Sequence, residues 1–289
     1  MRTGDGGIAV FRWVWWNAWR QVDPRAMARG LWRQRDLIEQ LTRREIRARY
    51  RGSYLGVLWA LLTPLATLLV YTFVFAVLFK ARWGGRPSQG VVDFALTAFT
   101  GMTAFQVLSE NLNRAPGLVV GRVNYVKRVV FPLEVLPISV LGASIFHSLI
   151  GLVLVLIGQA VTVGQLHPTL IYLPLLYLPL AGFSLGLSWA LASLGVFVRD
   201  VGNFVGIATQ LLLFVTPILY PISIVPERLH PLLKLNPIAY VIEDFRRVVL
   251  WGEPPTWDAL GIVTACSAVV LVAGYIWFMK TKPGFADVI

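Results

Sequence analysis

The stretch LGVLWALLTPLATLLVYTFVFAVLF, residues 55–79, decides the fold class. It is apolar apart from Thr and Tyr hydroxyls, and it contains no Asp, Glu, Lys or Arg. A helix needs about 20 predominantly apolar residues in a row to cross the hydrocarbon core of a bilayer. This run is longer than that, so it predicts a membrane-spanning helix and therefore an integral membrane protein.

Similar apolar runs recur along the 289-residue chain, which is 56% apolar and only 14% charged. Soluble domains carry about 25% charged residues, so the composition also favours a membrane protein. We expect an all-α integral membrane fold with six transmembrane helices. The predicted spans are residues 55–79, 94–112, 135–163, 170–198, 201–225 and 260–279.

Lys and Arg are distributed unevenly between the segments that connect the predicted spans. With a cytoplasmic N-terminus, 19 of the 26 basic residues lie on the cytoplasmic side. Cytoplasmic segments of membrane proteins carry such an excess, so we expect both termini inside and a short tail at residues 280–289. Topology also explains the net charge of +11 without a nucleic-acid partner.

Residues 1–54 form a cytoplasmic N-terminal segment with 12 Arg and several interspersed Trp. Leu31, Ile38, Leu41 and Ile46 fall near one helical stripe, and Arg residues occupy much of the rest. Such a helix can lie in the headgroup plane, with its apolar side down and Arg toward phosphates. The segment therefore predicts an amphipathic interfacial helix, the alternative being a solvated basic helix.

The stretch PERLHPLLKLNPIAYVIEDFRRVVL, residues 226–250, is half apolar but too short and too charged to span a bilayer. Two short helices broken at Asn236–Pro237 could dip into the outer leaflet and return. Irregular backbone survives at that depth only where protein buries it or water reaches it. The stretch predicts a re-entrant helix pair beside a pore before the last span, the alternative being a surface loop.

Two cytoplasmic loops are candidates for contact with a soluble partner. Between residues 121 and 131 apolar side chains alternate with polar or basic ones, a pattern typical of a short amphipathic helix that docks in a groove. The tight turn FVRDVGNF, residues 197–204, places Arg199 and Asp200 at its bend. A solvated loop is the alternative for each.

Signatures of catalysis are missing from the sequence. It has no GxxxxGK[ST] loop to hold ATP, no HExxH and no GxSxG. We therefore expect no catalytic residue, no metal site and no cofactor in this chain. His147 lies within a predicted span, where ionisable groups are costly, and is either functional or a helix-packing residue.

Several segments together resemble the membrane permease of type-2 ABC exporters, in the branch that exports O-antigen, teichoic acid and related capsule-like polysaccharides. They cover nearly the whole chain in order, whereas residues 1–30 match nothing in the family. The segments are LTRREIRARYRGSYLGVLWALLTPLATLLVYTFVFAVLF (41–79), NYVKRVVFPLEVLP (124–137), VRD (198–200), TPILYP (216–221), LNPIAYVIEDFR (235–246) and KPGFADVI (282–289).

The resemblance implies a homodimer of this chain in a bacterial inner membrane. It also implies two copies of a separate ABC ATPase, which would bind ATP and Mg²⁺. The basic helix before Leu55 would be a gate helix, and residues 121–131 a coupling helix. The implied ATPase contacts are Asn124, Tyr125, Lys127, Arg128, Phe131, Arg199 and Asp200. The implied outer gate contains Asn236, Pro237 and Tyr240.

The substrate implied by the resemblance is a glycan on a polyprenyl diphosphate carrier. Its diphosphate needs cations at the inner headgroup level, and the planar Arg fork binds phosphate bidentately. The predicted diphosphate ligands are Arg43, Arg44, Arg47, Arg49 and Arg51. Membrane topology alone is the other explanation of these charges.

Aromatic side chains predict a channel lining, because sugar rings stack on aromatic faces. Tyr71, Phe75 and Phe79 fall at i, i+4 and i+8 on the first span, and Tyr220 lies on the fifth. Lipid-facing or packing aromatics are the alternative.

Three other functions stay open from the sequence. One is a type-2 ABC permease for a drug, lipid or other small molecule, and another is a purely structural membrane subunit. The third is a membrane-integral transferase, which the scattered acids Asp200, Glu243 and Asp244 do not favour.

Overall fold

A computed structural model of the chain describes residues 24–50, 54–78, 83, 90–126 and 131–288. These residues form helices and turns without a β-strand among them, which confirms the all-α class. Five helical stretches in the described part are long and apolar enough to cross a membrane. They are Trp59–Leu78, Val91–Arg114, Val135–Val163, Pro168–Phe197 and Trp257–Val288.

The α-helices are numbered in chain order, and several continue into 3₁₀- or π-helical turns. They are α1 (Pro24–Arg33), α2 (Arg35–Tyr50), α3 (Trp59–Tyr71, continued as a π-helix over Thr72–Leu78), α4 (Val91–Arg114), α5 (Gly117–Val120), α6 (Val123–Val126), α7 (Val135–Val163), α8 (Leu173–Phe197, preceded by the 3₁₀ turn Pro168–Tyr172), α9 (Val201–Val215), α10 (His230–Lys234), α11 (Pro237–Arg246, continued as Arg247–Trp251), α12 (Trp257–Thr281) and α13 (Phe285–Val288).

The basic helix α2 lies along α7 with its apolar stripe toward the protein. Leu41 is buried in a cluster with Leu136 and Trp189, and Leu31 and Ile38 pack against the same cluster. The Arg-rich side of α2 faces away from this contact. The apolar stripe predicted from the sequence therefore lies on the side of α1 and α2 that packs against the rest of the protein.

The helix α4 lies at the centre of the fold, in contact with α7, α8, α9 and α11. Small residues let neighbouring helices approach it and one another closely, as is usual in membranes. A Cβ added at Gly274 of α12 would lie 1.9 Å from the carbonyl oxygen of Gly186 in α8. A Cβ added at Gly151 of α7 would lie 2.3 Å from Cγ2 of Thr103 in α4.

We expect Gly151→Ala to lower the thermal unfolding midpoint of the purified chain, because the new methyl must displace the Thr103 side chain. Overpacking of this kind costs about 1–3 kcal/mol. Gly261→Ala is the matched control, since nothing lies within 4 Å of a Cβ added there. Equal midpoints for the two variants in detergent would contradict the close packing of α7 on α4.

The helix α9 is shorter than the span predicted at residues 201–225. It ends at Val215 because Thr216 precedes Pro217, and a residue before proline avoids the helical conformation. Its 15 residues extend over about 22 Å, less than the roughly 30 Å of a hydrocarbon core. The count of six spans therefore stays a prediction.

The segment at residues 226–250 contains α10 and α11, with the break at Asn236–Pro237. Asn236 caps α11, because its side-chain oxygen accepts a hydrogen bond of 3.0 Å from the N–H of Ile238. Ile242 and Phe245 of α11 are buried in the main hydrophobic core. This segment thus packs into the protein, and its position relative to a membrane stays a prediction.

Candidate functional site: a polar cavity beside the basic helix

A cavity of about 460 Å³ lies between α3, α4 and α9, next to the end of α2. Its aromatic wall includes Trp59 and Tyr71 of the first apolar helix. Its other walls, formed by α2, α4 and α9, carry polar side chains. The polar lining includes Arg49, Gln106, Ser109, Asn113, Thr209 and Gln210.

The polar wall arises from the helical repeat of α4. Gln106, Ser109 and Asn113 are three and four residues apart, so they share one face of the helix. Thr209 of α9 donates a hydrogen bond of 3.1 Å to the side-chain oxygen of Asn113, which joins the two helices at the cavity. Polar side chains on apolar helices face water, protein or a polar ligand. This face is therefore suited to a hydroxyl-rich ligand.

A charged cluster forms one end of the polar cavity. Nη1 of Arg49 donates to Oε1 of Glu110 at 2.9 Å and lies 3.0 Å from Nδ1 of His147. The same His147 nitrogen is 3.2 Å from Oε2 of Glu110. His147 is 6% exposed, and its Nε2 has no hydrogen-bond partner among the described residues. His147 is thus tied into an ionic cluster beside the cavity.

The predicted arginines of α2 occupy different surroundings. Arg49 lines the cavity, whereas Arg43 pairs with Glu39 on the exposed side of its own helix. Arg44 donates a hydrogen bond of 2.9 Å to the hydroxyl of Tyr125. Arg47 is exposed, and Arg51 lies outside the described residues. Among the four described arginines, Arg49 is therefore the one placed to meet a ligand in the cavity.

Glu45 of α2 is buried, with 5% of its surface exposed, and sequence reasoning missed it. Its Oε2 accepts from Arg114 at the end of α4, and its Oε1 accepts from Arg122 between α5 and α6. The signal available in the sequence was a single acid within the Arg-rich stretch RREIRARYR, residues 43–51. The partners could not be identified, because they lie 69 and 77 residues further along the chain.

The aromatic residues that were predicted to line a channel lie in different surroundings in the structure. Tyr71 lines the cavity, but Phe75 stacks on Phe94 with ring centroids 6.5 Å apart and packs against the core. Phe79 lies outside the described residues. Tyr220 donates a 2.7 Å hydrogen bond to the carbonyl of Phe214, so its hydroxyl stabilises the end of α9.

The sequence matches the ABC-2 type transporter family over residues 36–250. The chain belongs to this family. The matched range contains all of α2 except its first residue, and it contains the polar cavity, the charged cluster and α11.

Relatives extend the similarity to almost the full length of this ABC-2 type chain. It is 30% identical over 266 residues to the O-antigen export system permease protein RfbA of Myxococcus xanthus, covering 90% of this chain and 98% of that protein. It is 24% identical to the protein of the same name from Klebsiella pneumoniae, with 88% and 95% covered. It is also 24% identical to the capsule polysaccharide export inner-membrane protein CtrC of Neisseria meningitidis, with 87% and 93% covered.

Those predicted ATPase-contact residues that the structure describes lie between α4 and α7 and at the turn between α8 and α9 of this ABC-2 type chain. Asn124, Arg199 and Asp200 are exposed. Tyr125 instead stacks on Phe131 with ring centroids 4.3 Å apart, and both rings pack against the hydrophobic cluster of Leu41 and its neighbours. Lys127 and Arg128 lie outside the described residues. Tyr125 and Phe131 therefore face the protein and shape the loop from within.

Far from the ATPase-contact loops in the folded protein, Arg246 of α11 is 1% exposed. It was not identified from the sequence as a candidate residue. Its guanidinium donates to the carbonyls of Thr97, Pro217 and Ile218 at 2.8–3.2 Å. It also pairs with Glu243 at 3.0 Å. Arg246 thus joins α11, the start of α4 and the break after α9.

The predicted outer-gate residues lie at and just after the start of α11, the helix that ends at Arg246. Nδ2 of Asn236 donates to the hydroxyl of Thr216 at 2.9 Å, and Tyr240 packs against the main core. Pro237 is the first residue of α11.

Burial raises the pKa of the neighbouring Asp244 carboxyl, even though that carboxylate accepts a 2.9 Å hydrogen bond from the N–H of Thr256.

Proposed function

We propose that this chain is the membrane-spanning permease subunit of an ATP-driven exporter of polysaccharide in a bacterial inner membrane. The polar cavity supports this function most directly, because it opens between apolar helices and combines hydroxyl, amide and aromatic side chains. Such groups form hydrogen bonds and ring contacts with sugars. The polysaccharide exporters among the relatives support the same substrate class.

The proposed substrate is a glycan linked to a polyprenyl diphosphate. Arg49 stands between the basic side of α2 and the cavity, with 42% of its side chain exposed. A guanidinium in this place can bind a diphosphate oxygen while the sugars lie against Tyr71, Gln106 and Thr209. We retain Arg43, Arg44, Arg47 and Arg51 as additional diphosphate ligands in the proposal, and Arg49 as the central one.

A second copy of the chain would close the open side of the cavity. None of the described residues of Trp59–Leu78 is buried within one chain. Polar groups at membrane depth must be covered by protein or reached by water, so the polar wall beside this helix needs such a cover. We therefore propose a homodimer whose channel lies between the copies, with surrounding membrane lipids against the outer apolar faces.

The energy would come from two copies of a separate ABC ATPase that bind ATP and Mg²⁺. Its docking surface would include the exposed Asn124, Arg199 and Asp200, on the side where the basic α2 lies. Both termini would be cytoplasmic, and α9 together with the residues up to 225 would complete six spans. α10 and α11 would then form the re-entrant pair at the outer mouth, with Asn236, Pro237 and Tyr240 at the gate.

Purification of the chain with its partner ABC ATPase tests this function. We expect lipid-linked glycan to stimulate ATP hydrolysis by the reconstituted complex and to be moved across proteoliposomes. The same glycan without its lipid diphosphate is the matched control and should stimulate less. Stimulation by a small drug or lipid, with no response to any lipid-linked glycan, would contradict the proposal.

A further inference from the structure

The basic helix α2 is tied to two other elements by one buried carboxylate. Glu45 gives one oxygen to Arg114 at the end of α4 and the other to Arg122. Arg122 lies in the loop at residues 117–126, termed the coupling segment below. A buried carboxylate is costly without cationic partners, so its two pairings hold all three elements in one arrangement.

A second contact joins α2 to the coupling segment. Arg44 donates to the Tyr125 hydroxyl at 2.9 Å, and the Tyr125 ring is itself held by Phe131. Arg44 and Glu45 are adjacent, so consecutive residues of α2 contact α6 and the turn that precedes it. These two contacts make relative sliding of α2 and the coupling segment unfavourable.

The ionic contacts continue from Glu45 to the polar cavity. Arg114 is shared, because its Nη1 also lies 3.6 Å from Oε1 of Glu110. Glu110 in turn holds Arg49 and His147 at the cavity end. A continuous series of charged groups therefore runs from the coupling segment to the one described α2 arginine that lines the cavity.

We propose that Glu45 is a positioning residue that makes α2 and the coupling segment move as one body. Displacement of the coupling segment by the partner ATPase would then shift Arg49 relative to the cavity and to the substrate diphosphate. The effect on the substrate rests on the proposed exporter function. The connection between α2 and the coupling segment is a property of this chain alone.

The first test compares Glu45→Gln with Glu39→Gln in the permease–ATPase complex. Glu39 is an exposed acid on the same helix whose partner is Arg43, so its variant controls for loss of one negative charge. We expect Glu45→Gln to reduce glycan exported per ATP hydrolysed about 5-fold or more, the lower end of measured couplings between sites. Glu39→Gln should match the wild type, and Glu45→Asp, which keeps the carboxylate, should recover part of the ratio.

The second test measures the connection without any substrate. Spin labels at Ala48 of α2 and Val120 of the coupling segment, both exposed, report their separation after Cys266 is replaced by Ala. We expect a narrow distance distribution for wild type and Glu39→Gln and a broad one for Glu45→Gln. An unchanged distribution, or an export ratio equal to wild type in the folded Glu45→Gln complex, would overturn the proposal.

The two tests separate this proposal from the exporter function. If the label distances respond to Glu45→Gln but no lipid-linked glycan is moved by the wild type, the connection stands and the assigned substrate is wrong. If the wild type exports glycan and the distances do not respond, the exporter function stands and the role of Glu45 is wrong.

Discussion

Replacing Arg246 with Leu is expected to remove most of the folded permease from the membrane fraction and to leave the remainder inactive in export. The variant deprives three buried carbonyls, those of Thr97, Pro217 and Ile218, of their donor. Each unsatisfied buried acceptor costs about 1–3 kcal/mol, so a loss of roughly 3 kcal/mol or more is expected. Size-exclusion chromatography of the detergent extract and the thermal unfolding midpoint measure it.

Arg247 provides the matched control for this prediction. It has the same side chain at the next position, but it is about one-third exposed, and its guanidinium lies 3.2 Å from Glu253, 3.1 Å from the carbonyl oxygen of Pro254 and 4.0 Å from Asp244. Surface ion pairs contribute about 0–1 kcal/mol, so Arg247→Leu should stay within a few degrees of wild type. Similar losses from both substitutions would mean that introducing a leucine into this segment, and not losing the hydrogen bonds of Arg246, causes the defect.

Arg246→Lys separates charge from geometry at the same position. A lysine keeps the positive charge but lacks the planar fork that reaches three carbonyls in different directions. We expect it to recover little of the lost stability. Full recovery would show that a positive charge alone is sufficient at this end of the protein.

The long apolar helices could be predicted from the sequence because a bilayer imposes a local and continuous pattern. The run at residues 55–79 needs no partner to be recognised, and the structure places Trp59–Leu78 within it. The short α9 was harder, since apolar residues continue past its end. There the backbone effect of Pro217 ended the helix within a sequence that hydrophobicity alone extends to residue 225.

The site was only partly predictable, because its specific contacts join distant parts of the chain. Arg49 was identified as one of five similar arginines, and nothing local distinguished it from Arg47. Glu45 and Arg246 depend on partners up to 77 and 149 residues away, which no single-sequence pattern connects. The sequence predicted a cluster of arginines just before the first apolar helix. Tertiary packing determines that Arg49 is the one among the described arginines of α2 that lines the cavity.

This difference between neighbouring arginines also explains how one helix can serve two purposes. Arg43 and Arg47 are exposed and suit a headgroup surface, whereas Glu45 and Arg49 are bonded to other elements. In the proposed exporter, the outer side of α2 would stay against headgroup phosphates while its inner side transmits movement. A uniformly basic helix would lack the second role.

Arg49→Ala is expected to reduce export of lipid-linked glycan roughly 10- to 100-fold, because a hydrogen bond to a charged group contributes about 1.5–3 kcal/mol. Arg47→Ala, two residues away on the exposed side of α2, should reduce export much less, because Arg47 does not line the cavity and is only an additional ligand in the proposal. The measurement is the dependence of ATP hydrolysis and transport on the concentration of lipid-linked glycan. Loss of a diphosphate ligand raises the concentration needed for half-maximal stimulation.

Glu110→Gln tests whether Arg49→Ala lowers export because a diphosphate ligand is lost or because the Glu110 carboxylate loses its partner. The variant removes the carboxylate that Arg49 pairs with but keeps the guanidinium in the cavity. If Arg49 binds the diphosphate, the freed guanidinium should hold the substrate at least as well as in the wild type. If Arg49 matters only as the partner of Glu110, both variants should lose export alike. Equal export by Arg49→Ala and wild type would remove Arg49 from the proposed diphosphate site.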